Sequence, residues 1–260
     1  MNCLEISGTP VRACWTGASD GNLAALKPGP LDSDLAGLLG LDSSACKWKL
    51  SRIKQVHGGN VVVDFVGAGG SAGTAGSAVY EGTAGCEGAS IPEGDAGYGE
   101  VAIPEGDAIL SREHGNCLLV VTADCMSIAL ASQEGIYGAV HAGWRGLVAG
   151  VIENAIDRMY GYGVSKVFAA IGPSIGKCCY KFSRNDTFPL VKRYGESVIG
   201  SDSNGKDTVD IHAAAIQAIE QSGAELFWRS VECTYCSGRY YSYRRGDRLS
   251  RQGMFVWKDS

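Results

Sequence analysis

The apolar pattern is clearest in the second half of the chain, where it predicts a mixture of strands and helices. Residues 117–121 form a continuous apolar run, and runs at 127–130 and 136–140 flank a Gln-Glu-Gly turn. Short apolar runs bounded by turn residues are typical of buried strands. The same criteria predict strands at 61–63, 167–171, 226–231, 240–243 and 254–257.

Two segments place their apolar residues at helical spacing. Residues 147–160 do so and are followed by Gly161, a common helix stop. Asp210 is a suitable N-cap for a helix over residues 211–222, which Gly223 would end. Because strands and helices mix without strict alternation, we expect an α+β or layered α/β fold with a mixed sheet.

The composition and net charge of the chain exclude some classes of protein. The chain has 260 residues, 45% of them apolar and 20% charged, with a net charge of −5. These values argue against a disordered chain and against a general nucleic-acid binder. Residues 239–251 hold five arginines and three tyrosines, a pattern that can bind single-stranded nucleic acid. Without a wider basic surface, we expect instead a strand pair with a solvated basic face and one anion-binding arginine, and no nucleic-acid partner.

The sequence also bears on location. No window approaches eighteen consecutive apolar residues, so we expect no membrane span. The first residues lack the basic and apolar regions of a signal peptide. We therefore expect a cytoplasmic protein that is a monomer or a small homo-oligomer.

Residues 67–99 are unusually rich in glycine. The motif Ile-Pro-Glu-Gly-Asp-Ala occurs at 91–96 and again at 103–108. Such a composition buries little apolar surface and is costly to order. We expect a single domain over residues 1–260 that carries a mobile surface insertion at about 67–99.

The ten cysteines are many for a chain without an export signal. Disulfide frameworks usually belong to much shorter chains, so we expect most of these thiols to be buried packing residues. Cys233 and Cys236 form a Cys-x-x-Cys motif, and Cys178 and Cys179 are adjacent. Neighbours on a strand face opposite ways, which argues against Cys178 and Cys179 binding one ion. A second metal site is the alternative.

Reactive residue types gather at two predicted strand ends. Thr-Ala-Asp-Cys at 122–125 follows one strand, and Val-His-Ala-Gly-Trp-Arg-Gly at 140–146 follows another. Strand ends are where open α/β sheets place reactive groups. If the strands at 117–121 and 136–140 are neighbours, Cys125 and His141 converge as a nucleophile or as metal ligands. For either residue alone, a buried structural role is the alternative.

A second histidine extends this set. His57 lies in Gln-Val-His-Gly-Gly-Asn at 55–60. Together with Cys125 and His141 it offers two nitrogens and one sulfur, a ligand set that Zn²⁺ accepts. Three protein ligands with an open fourth position are typical of catalytic zinc, which lowers the pKa of a water molecule. The three residues are far apart in sequence, so only the fold can bring them together.

Five separated motifs resemble those of the YfiH/YlmD family, also called the polyphenol oxidoreductase laccase family. They lie at 55–58, 122–125, 140–146, 172–180 and 241–245. The resemblance implies a zinc site formed by His57, Cys125 and His141. It implies an α+β fold, a layered α/β/β/α sandwich with mixed sheets, related to toxin deamidases with a Cys-His site.

The resemblance also implies purine nucleoside chemistry with a nucleoside and phosphate as partners. Family members phosphorolyse adenosine, inosine and methylthioadenosine, and they deaminate adenosine. Hydroxide attack on adenine C6 gives deamination, whereas phosphorolysis needs an anion site near the ribose. The catalytic candidates are Cys125, His141, Asp124 as proton donor to the purine, and Arg145. The substrate-binding candidates are Gln55, Asn60, Arg244, Arg245 and Arg251.

Three alternatives remain at this point. The family's older name implies a copper-dependent polyphenol oxidase, with copper as the metal, although the 4 histidines are few for a multicopper site. A metal-free Cys125–His141 hydrolase or amidase that edits peptidoglycan precursors is the second. A non-catalytic metal-binding module is the third.

Overall fold

The computed structural model describes residues 1–6, 8–41, 48–64 and 103–259, which hold fourteen strands and six α-helices. The strands are β1 (Asn2–Glu5), β2 (Val11–Trp15), β3 (Gly29–Pro30), β4 (Lys49–Arg52), β5 (Val61–Val63), β6 (Ala108–Ser111), β7 (Asn116–Thr122), β8 (Met126–Ser132), β9 (Tyr137–Ala142), β10 (Val167–Ile171), β11 (Ile199–Ser201), β12 (Asp207–Val209), β13 (Glu225–Arg229) and β14 (Gln252–Lys258). The α-helices are α1 (Ser33–Leu39), α2 (Trp144–Val148), α3 (Val151–Gly161), α4 (Arg184–Tyr194), α5 (Ile211–Gln221) and α6 (Thr234–Ser237). The insertion predicted at about 67–99 lies outside the described residues and stays a prediction.

The strands form two six-stranded mixed sheets and one small pair. Sheet I has the order β1-β2-β14-β7-β4-β3, and sheet II has the order β13-β10-β8-β9-β6-β5. In sheet I only β4 and β7 are parallel neighbours. In sheet II the parallel neighbours are β10 with β13 and β5 with β6. Strands β11 and β12 form a separate antiparallel pair.

Side-chain alternation along the strands stacks these sheets into four layers. Met254 and Val256 of β14 face sheet II, whereas Phe255 and Trp257 pack with Leu39 of α1. The strands of sheet II alternate in the same way between the inter-sheet core and the side chains of α2–α5. Successive strand residues point to opposite faces, so both sheets are covered on both sides. The order is α/β/β/α, and the predicted fold class is confirmed.

Several elements match their sequence predictions closely. Strands β7, β8 and β10 contain the predicted runs, and β9 begins one residue after the start of its run. Helix α5 occupies the predicted helix, where the Asp210 carboxylate accepts a hydrogen bond from the Ala213 N–H at 3.0 Å. The helix predicted at 147–160 is divided, because Gly150 has a φ of +76° between α2 and α3. No helix in the described part of the chain is both long and apolar enough to cross a bilayer.

Two predictions about local structure are wrong. Residues 240–243 are not a strand: the Tyr241 N–H donates to the side chain of Gln252, and a turn begins at residue 243. The cysteines are not mostly buried packing residues. Cys117 is buried and free, whereas Cys3 and Cys14 form a disulfide across β1 and β2. The other free cysteines that the structure describes lie at partly or fully exposed positions in loops and at α6.

Gly172 provides a test of the packing between the two sheets. A Cβ atom at this position would lie 1.9 Å from Nε1 of Trp15, which donates a hydrogen bond to Ser127 at 3.1 Å. We expect Gly172→Ala to lower the free energy of unfolding by about 1–3 kcal/mol through overpacking. Urea denaturation measures this loss. Gly161→Ala is the control, because nothing lies within 4 Å of its Cβ position; equal midpoints in both variants would contradict the prediction.

Candidate active site and metal centre

Cys125 and His141 meet because of a strand pairing that differs from the predicted one. Strand β7 belongs to sheet I and β9 to sheet II, so these two are not hydrogen-bonded neighbours. The chain passes from β7 to β8 through residues 123–125, and β8 then pairs with β9. In that pair His141 lies opposite Ser127, two residues beyond Cys125. The crossover between the sheets therefore places the thiol beside the imidazole.

A buried carboxylate fixes both histidines. Asp107, which is fully buried, accepts hydrogen bonds from Nδ1 of His141 at 2.8 Å and from the His57 N–H at 3.0 Å. Its other oxygen accepts from the N–H groups of Gly58 at 2.6 Å and Val56 at 3.3 Å. These bonds hold His57 in the left-handed region, at a φ of +60°. Sequence reasoning missed Asp107, although it belongs to the second copy of the repeated motif.

The three predicted ligands form one compact cluster. Nε2 of His57 lies 3.9 Å from Sγ of Cys125, and the two imidazole rings are 4.9 Å apart and nearly perpendicular. The three donor atoms all lie within 4.8 Å of one another. Zinc bond lengths of about 2.0–2.3 Å place tetrahedral ligand atoms roughly 3.3–3.8 Å apart, so small side-chain shifts would suffice. The bond from His141 to a carboxylate is also typical of metal-ligating histidines.

The electrostatics of the metal-free cluster favour an ion pair. Burial acts to raise the pKa of Cys125, but hydrogen bonds from His141 and His57 lower it to about 6. Burial acts to lower the pKa of His141, whereas its bonds to Asp107 and Cys125 raise it to about 9. Near neutral pH the thiolate is therefore populated beside an imidazolium, which suits both a metal ligand and a nucleophile.

A glycine leaves the space that the cluster needs. A Cβ atom at Gly143 would lie 2.9 Å from Sγ of Cys125 and 3.2 Å from the ring of His57. Contacts this close require one of the neighbours to move. The turn between β9 and α2 therefore requires glycine at this position, because the side chains of Cys125 and His57 occupy the space that a Cβ atom would need.

Asp124, the predicted proton donor, is engaged by its surroundings. It has a φ of +90° and is buried. Its carboxylate accepts hydrogen bonds from Oγ1 of Thr234 at 2.7 Å and from the Arg244 N–H at 2.8 Å, and its carbonyl accepts from the Ile175 N–H at 2.9 Å. These contacts favour a role in positioning three loops. Proton donation by Asp124 stays a prediction.

The candidate substrate-binding residues differ in their surroundings. Gln55 uses both amide atoms on the backbone of Val121. Arg245 donates to backbone carbonyls of residues 234, 235 and 240, and Arg251 donates to those of residues 248 and 250. Asn60 is exposed near the His57 loop. Contacts within the protein therefore engage the side chains of Gln55, Arg245 and Arg251.

Arg145 and Arg244 line a pocket of about 420 Å³. Cζ of Arg145 lies 4.4 Å from the centre of the Trp144 ring, and that of Arg244 lies 4.8 Å from the Tyr180 ring. The lining residues are Trp144, Arg145, Lys181, Phe182, Ser183, Asp186 and Arg244. No sequence pattern pointed to Lys181 or Phe182 beyond their position after the fourth motif.

Tyr180 connects this pocket with the three-residue cluster. Burial and the nearby charge of Cys125 raise the pKa of its hydroxyl, while Arg244 and Arg145 act to lower it. Gly143, whose Cβ atom would lie 2.9 Å from Sγ of Cys125, directly precedes Trp144 and Arg145 in the wall of the pocket. The pocket and the cluster therefore adjoin at this turn.

Comparison with known proteins places the chain in a family. The family model described as multi-copper polyphenol oxidoreductase laccase matches residues 35–259. The chain belongs to this YfiH/YlmD family. Solved structures of family members share its fold: YlmD from Geobacillus stearothermophilus has a TM-score of 0.69 at 21% identity, covering 98% of this chain and 93% of its own. YfiH from Bacillus licheniformis has a TM-score of 0.67 at 18% identity, covering 96% and 93%.

Curated relatives in the YfiH/YlmD family carry enzyme names. A Streptomyces griseus protein named purine nucleoside phosphorylase ORF3 is 32% identical over 158 residues, which are 58% of this chain and 63% of that protein. A protein named adenosine deaminase RL5, from an unknown prokaryotic organism, is 31% identical over 147 residues, 53% of this chain and 56% of its own length. The matches span less than two thirds of these relatives.

Asp107→Asn tests whether the buried carboxylate organises the candidate metal ligands of this YfiH/YlmD protein. The amide would place an N–H₂ group against donors that now face an oxygen, so we expect zinc affinity to fall about 10–100-fold. Competition with a chromogenic chelator measures the affinity. Glu105→Gln is the matched control, since that exposed carboxylate pairs with Lys54 outside the cluster. Equal affinities in the two variants would show that Asp107 does not organise the site.

Alkylation of the metal-free protein tests the thiolate at Cys125. Because its pKa is lowered to about 6, we expect the iodoacetamide rate to rise as pH increases through 6 and to level off above 7. Partial desolvation and the neighbouring Cys233 raise the pKa of Cys178 to about 11, which makes this thiol a slow internal reference. Peptide mapping by mass spectrometry separates the two. Saturating zinc should protect Cys125; undiminished alkylation would instead favour the metal-free hydrolase.

Proposed function

We propose that this chain is a zinc-dependent enzyme of purine nucleosides, which phosphorolyses adenosine, inosine and methylthioadenosine and deaminates adenosine. The observation that carries the proposal is the cluster of His57, Cys125 and His141 beside a pocket of arginines and aromatic rings. The names of the curated relatives support the same substrate class.

The aromatic residues of the pocket suit a purine base. Trp144 and Phe182 meet edge to face with ring centres 5.8 Å apart, and Phe182 meets Tyr180 in the same way at 4.6 Å. Planar bases stack on such rings and on guanidinium planes, which contributes about 1–3 kcal/mol per base in nucleic-acid complexes. The base would thus be held by stacking within reach of Cys125.

The pocket also suits a phosphate group. Arg145 and Arg244 bring two guanidinium groups to its wall, and Lys181 adds an ammonium group. Guanidinium binds phosphate oxygens through two parallel hydrogen bonds, whereas an ammonium acts as a point charge. Lys181 is also paired with Asp202 at 2.9 Å. Arg145 and Arg244 are therefore the better candidates for the phosphate that attacks the ribose.

His57, Cys125 and His141 would hold the zinc ion, while Asp107 keeps His141 oriented through Nδ1. The ion would supply Lewis acidity and lower the pKa of a water molecule near the purine. Asp124 positions the backbone of Arg244 and thereby aims its side chain over Tyr180. In this proposal the two histidines and Cys125 would bind the metal, whereas the two pocket arginines would bind the phosphate.

One alternative is favoured by a specific observation. The lowered pKa of Cys125 beside His141 is what a Cys-His hydrolase or amidase requires. A copper-dependent polyphenol oxidase has less support, because the cluster contains two imidazoles and one thiolate, whereas multicopper centres use many histidines.

A nucleoside panel with measured metal content tests the proposal. We expect adenosine with phosphate to give adenine and ribose 1-phosphate, and adenosine alone to give inosine and ammonia, both read by chromatography. Metal removal should abolish both reactions, and zinc should restore them. Cys125→Ala is the inactive control. Full activity of the metal-free protein, or no reaction with any nucleoside, would refute the proposal.

Arg244→Gln tests the phosphate site. Loss of a charge-assisted hydrogen bond costs about 1.5–3 kcal/mol, so we expect the KM for phosphate to rise roughly 10–100-fold. Deamination does not use phosphate and should change much less. Arg248→Gln is the matched control, because Arg248 stacks on Tyr243 and does not line the pocket. Equal losses in both reactions would assign Arg244 to the base or to the fold.

A further inference from the structure

Four cysteines outside the candidate active site converge in space. They come from the segment after β10 and from α6, and their sulfur atoms all lie within 4.8 Å of one another. We propose that Cys178, Cys179, Cys233 and Cys236 bind a second metal ion, a structural zinc held by four thiolates.

The local backbone explains how two adjacent cysteines can share one site. Residues 177–179 form a turn, in which the Cys179 N–H donates to the carbonyl of Gly176 at 3.0 Å. The rule that neighbours point opposite ways holds for strands and not for this turn. The sequence argument against a shared ion therefore fails, because it assumed an extended backbone.

The distances fit four thiolates around zinc. Sγ of Cys236 lies 3.7 Å from that of Cys178 and 3.2 Å from that of Cys179. A Zn–S bond of about 2.3 Å gives a tetrahedral edge of roughly 3.8 Å between sulfur atoms. Disulfide sulfurs would be about 2.0 Å apart, so these are separate thiols gathered at the spacing of metal ligands.

The second pair of ligands has the sequence and backbone of a metal knuckle. Cys233 is the N-cap residue of α6, and Cys236 lies within that helix, which gives the Cys-x-x-Cys spacing common in zinc sites. The Gly176 N–H donates to Sγ of Cys233 at 3.2 Å. A Cβ atom at Gly176 would lie 3.3 Å from Cβ of Cys233, so glycine allows the two segments to approach.

Packing alone does not account for this cluster. Cys178 and Cys236 are exposed and Cys179 and Cys233 are half-buried, whereas a thiol that serves as a small apolar side chain is usually buried. The exposed side also gives an ion a route of entry. Four protein ligands leave no open position, so the ion would be structural and not catalytic.

The position of the four-cysteine cluster indicates what a bound ion would stabilise. Ile175 and Thr234, each close in sequence to a ligand, both donate hydrogen bonds to Asp124, which precedes Cys125. An ion that joins the 176–179 turn to α6 would hold these two donors together. It would thereby maintain the unusual backbone of Asp124 and the position of the Cys125 thiol.

Elemental analysis of the full chain, purified under reducing conditions without oxygen, tests the proposal. We expect two zinc ions per chain in the unmodified protein, one in Cys125→Ala, and one in the double variant Cys178→Ser/Cys236→Ser. The two variants are controls for each other. A zinc content that the Cys178→Ser/Cys236→Ser substitutions leave unchanged, with all thiols outside the Cys3–Cys14 disulfide titrating as reduced, would overturn the proposal.

Cobalt substitution gives a readout that is independent of catalysis. Among the described residues of Cys125→Ala, the four-cysteine cluster is the one group that offers several thiolates, so we expect intense thiolate-to-cobalt charge-transfer absorption there. The band should be lost from Cys125→Ala when Cys178→Ser and Cys236→Ser are added. Absence of the band in reduced Cys125→Ala, or its survival after the serine substitutions, would overturn the proposal without bearing on nucleoside turnover.

Discussion

The site depends above all on the buried carboxylate of Asp107. A buried charge is costly unless it is fully hydrogen-bonded, and Asp107 meets that condition with three backbone N–H groups and Nδ1 of His141. Burial acts to raise its pKa, but these bonds, that from His141 foremost, keep the pKa below its ordinary value. Because the donors come from the His57 loop and from β9, satisfying one carboxylate places both imidazoles at once.

The unusual backbone of two residues belongs to the same arrangement. His57 and Asp124 are the non-glycine residues with positive φ in the described ranges, and each is a candidate metal ligand or next to one. Such conformations cost about 1–3 kcal/mol and persist where the surroundings over-determine them. Asp107 does this for His57, and the loops holding Ile175, Thr234 and the Arg244 N–H do it for Asp124. The geometry of the thiol is thus stabilised from two sides.

Features that depend on contacts between residues close in sequence could be predicted, and features that depend on distant contacts could not. The runs that became β7–β10, the Asp210 cap and the three candidate ligands could be identified from the sequence, because strand patterns, caps and motifs need only near neighbours. The role of Asp107 could not be predicted, because its hydrogen-bond donors at His141 and His57 are 34 and 50 residues away in sequence. The strand predicted at 240–243 failed for the same reason: its backbone bonds to a distant side chain, that of Gln252, and not to a strand.

The arginines show how tertiary contacts decide function among residues of one type. Arg244 and Arg245 are adjacent, yet the side chain of Arg244 lies over the Tyr180 ring, while that of Arg245 turns into carbonyl groups of α6 and its flanks. The guanidinium of Arg244 donates to one carbonyl, that of Lys181 at 3.1 Å, whereas that of Arg245 donates to three, so Arg244 keeps more donors for an anion. The bond from the Arg244 N–H to Asp124 fixes where the chain turns and so separates the two. The same carboxylate therefore supports the thiol on one side and the charge of the pocket on the other.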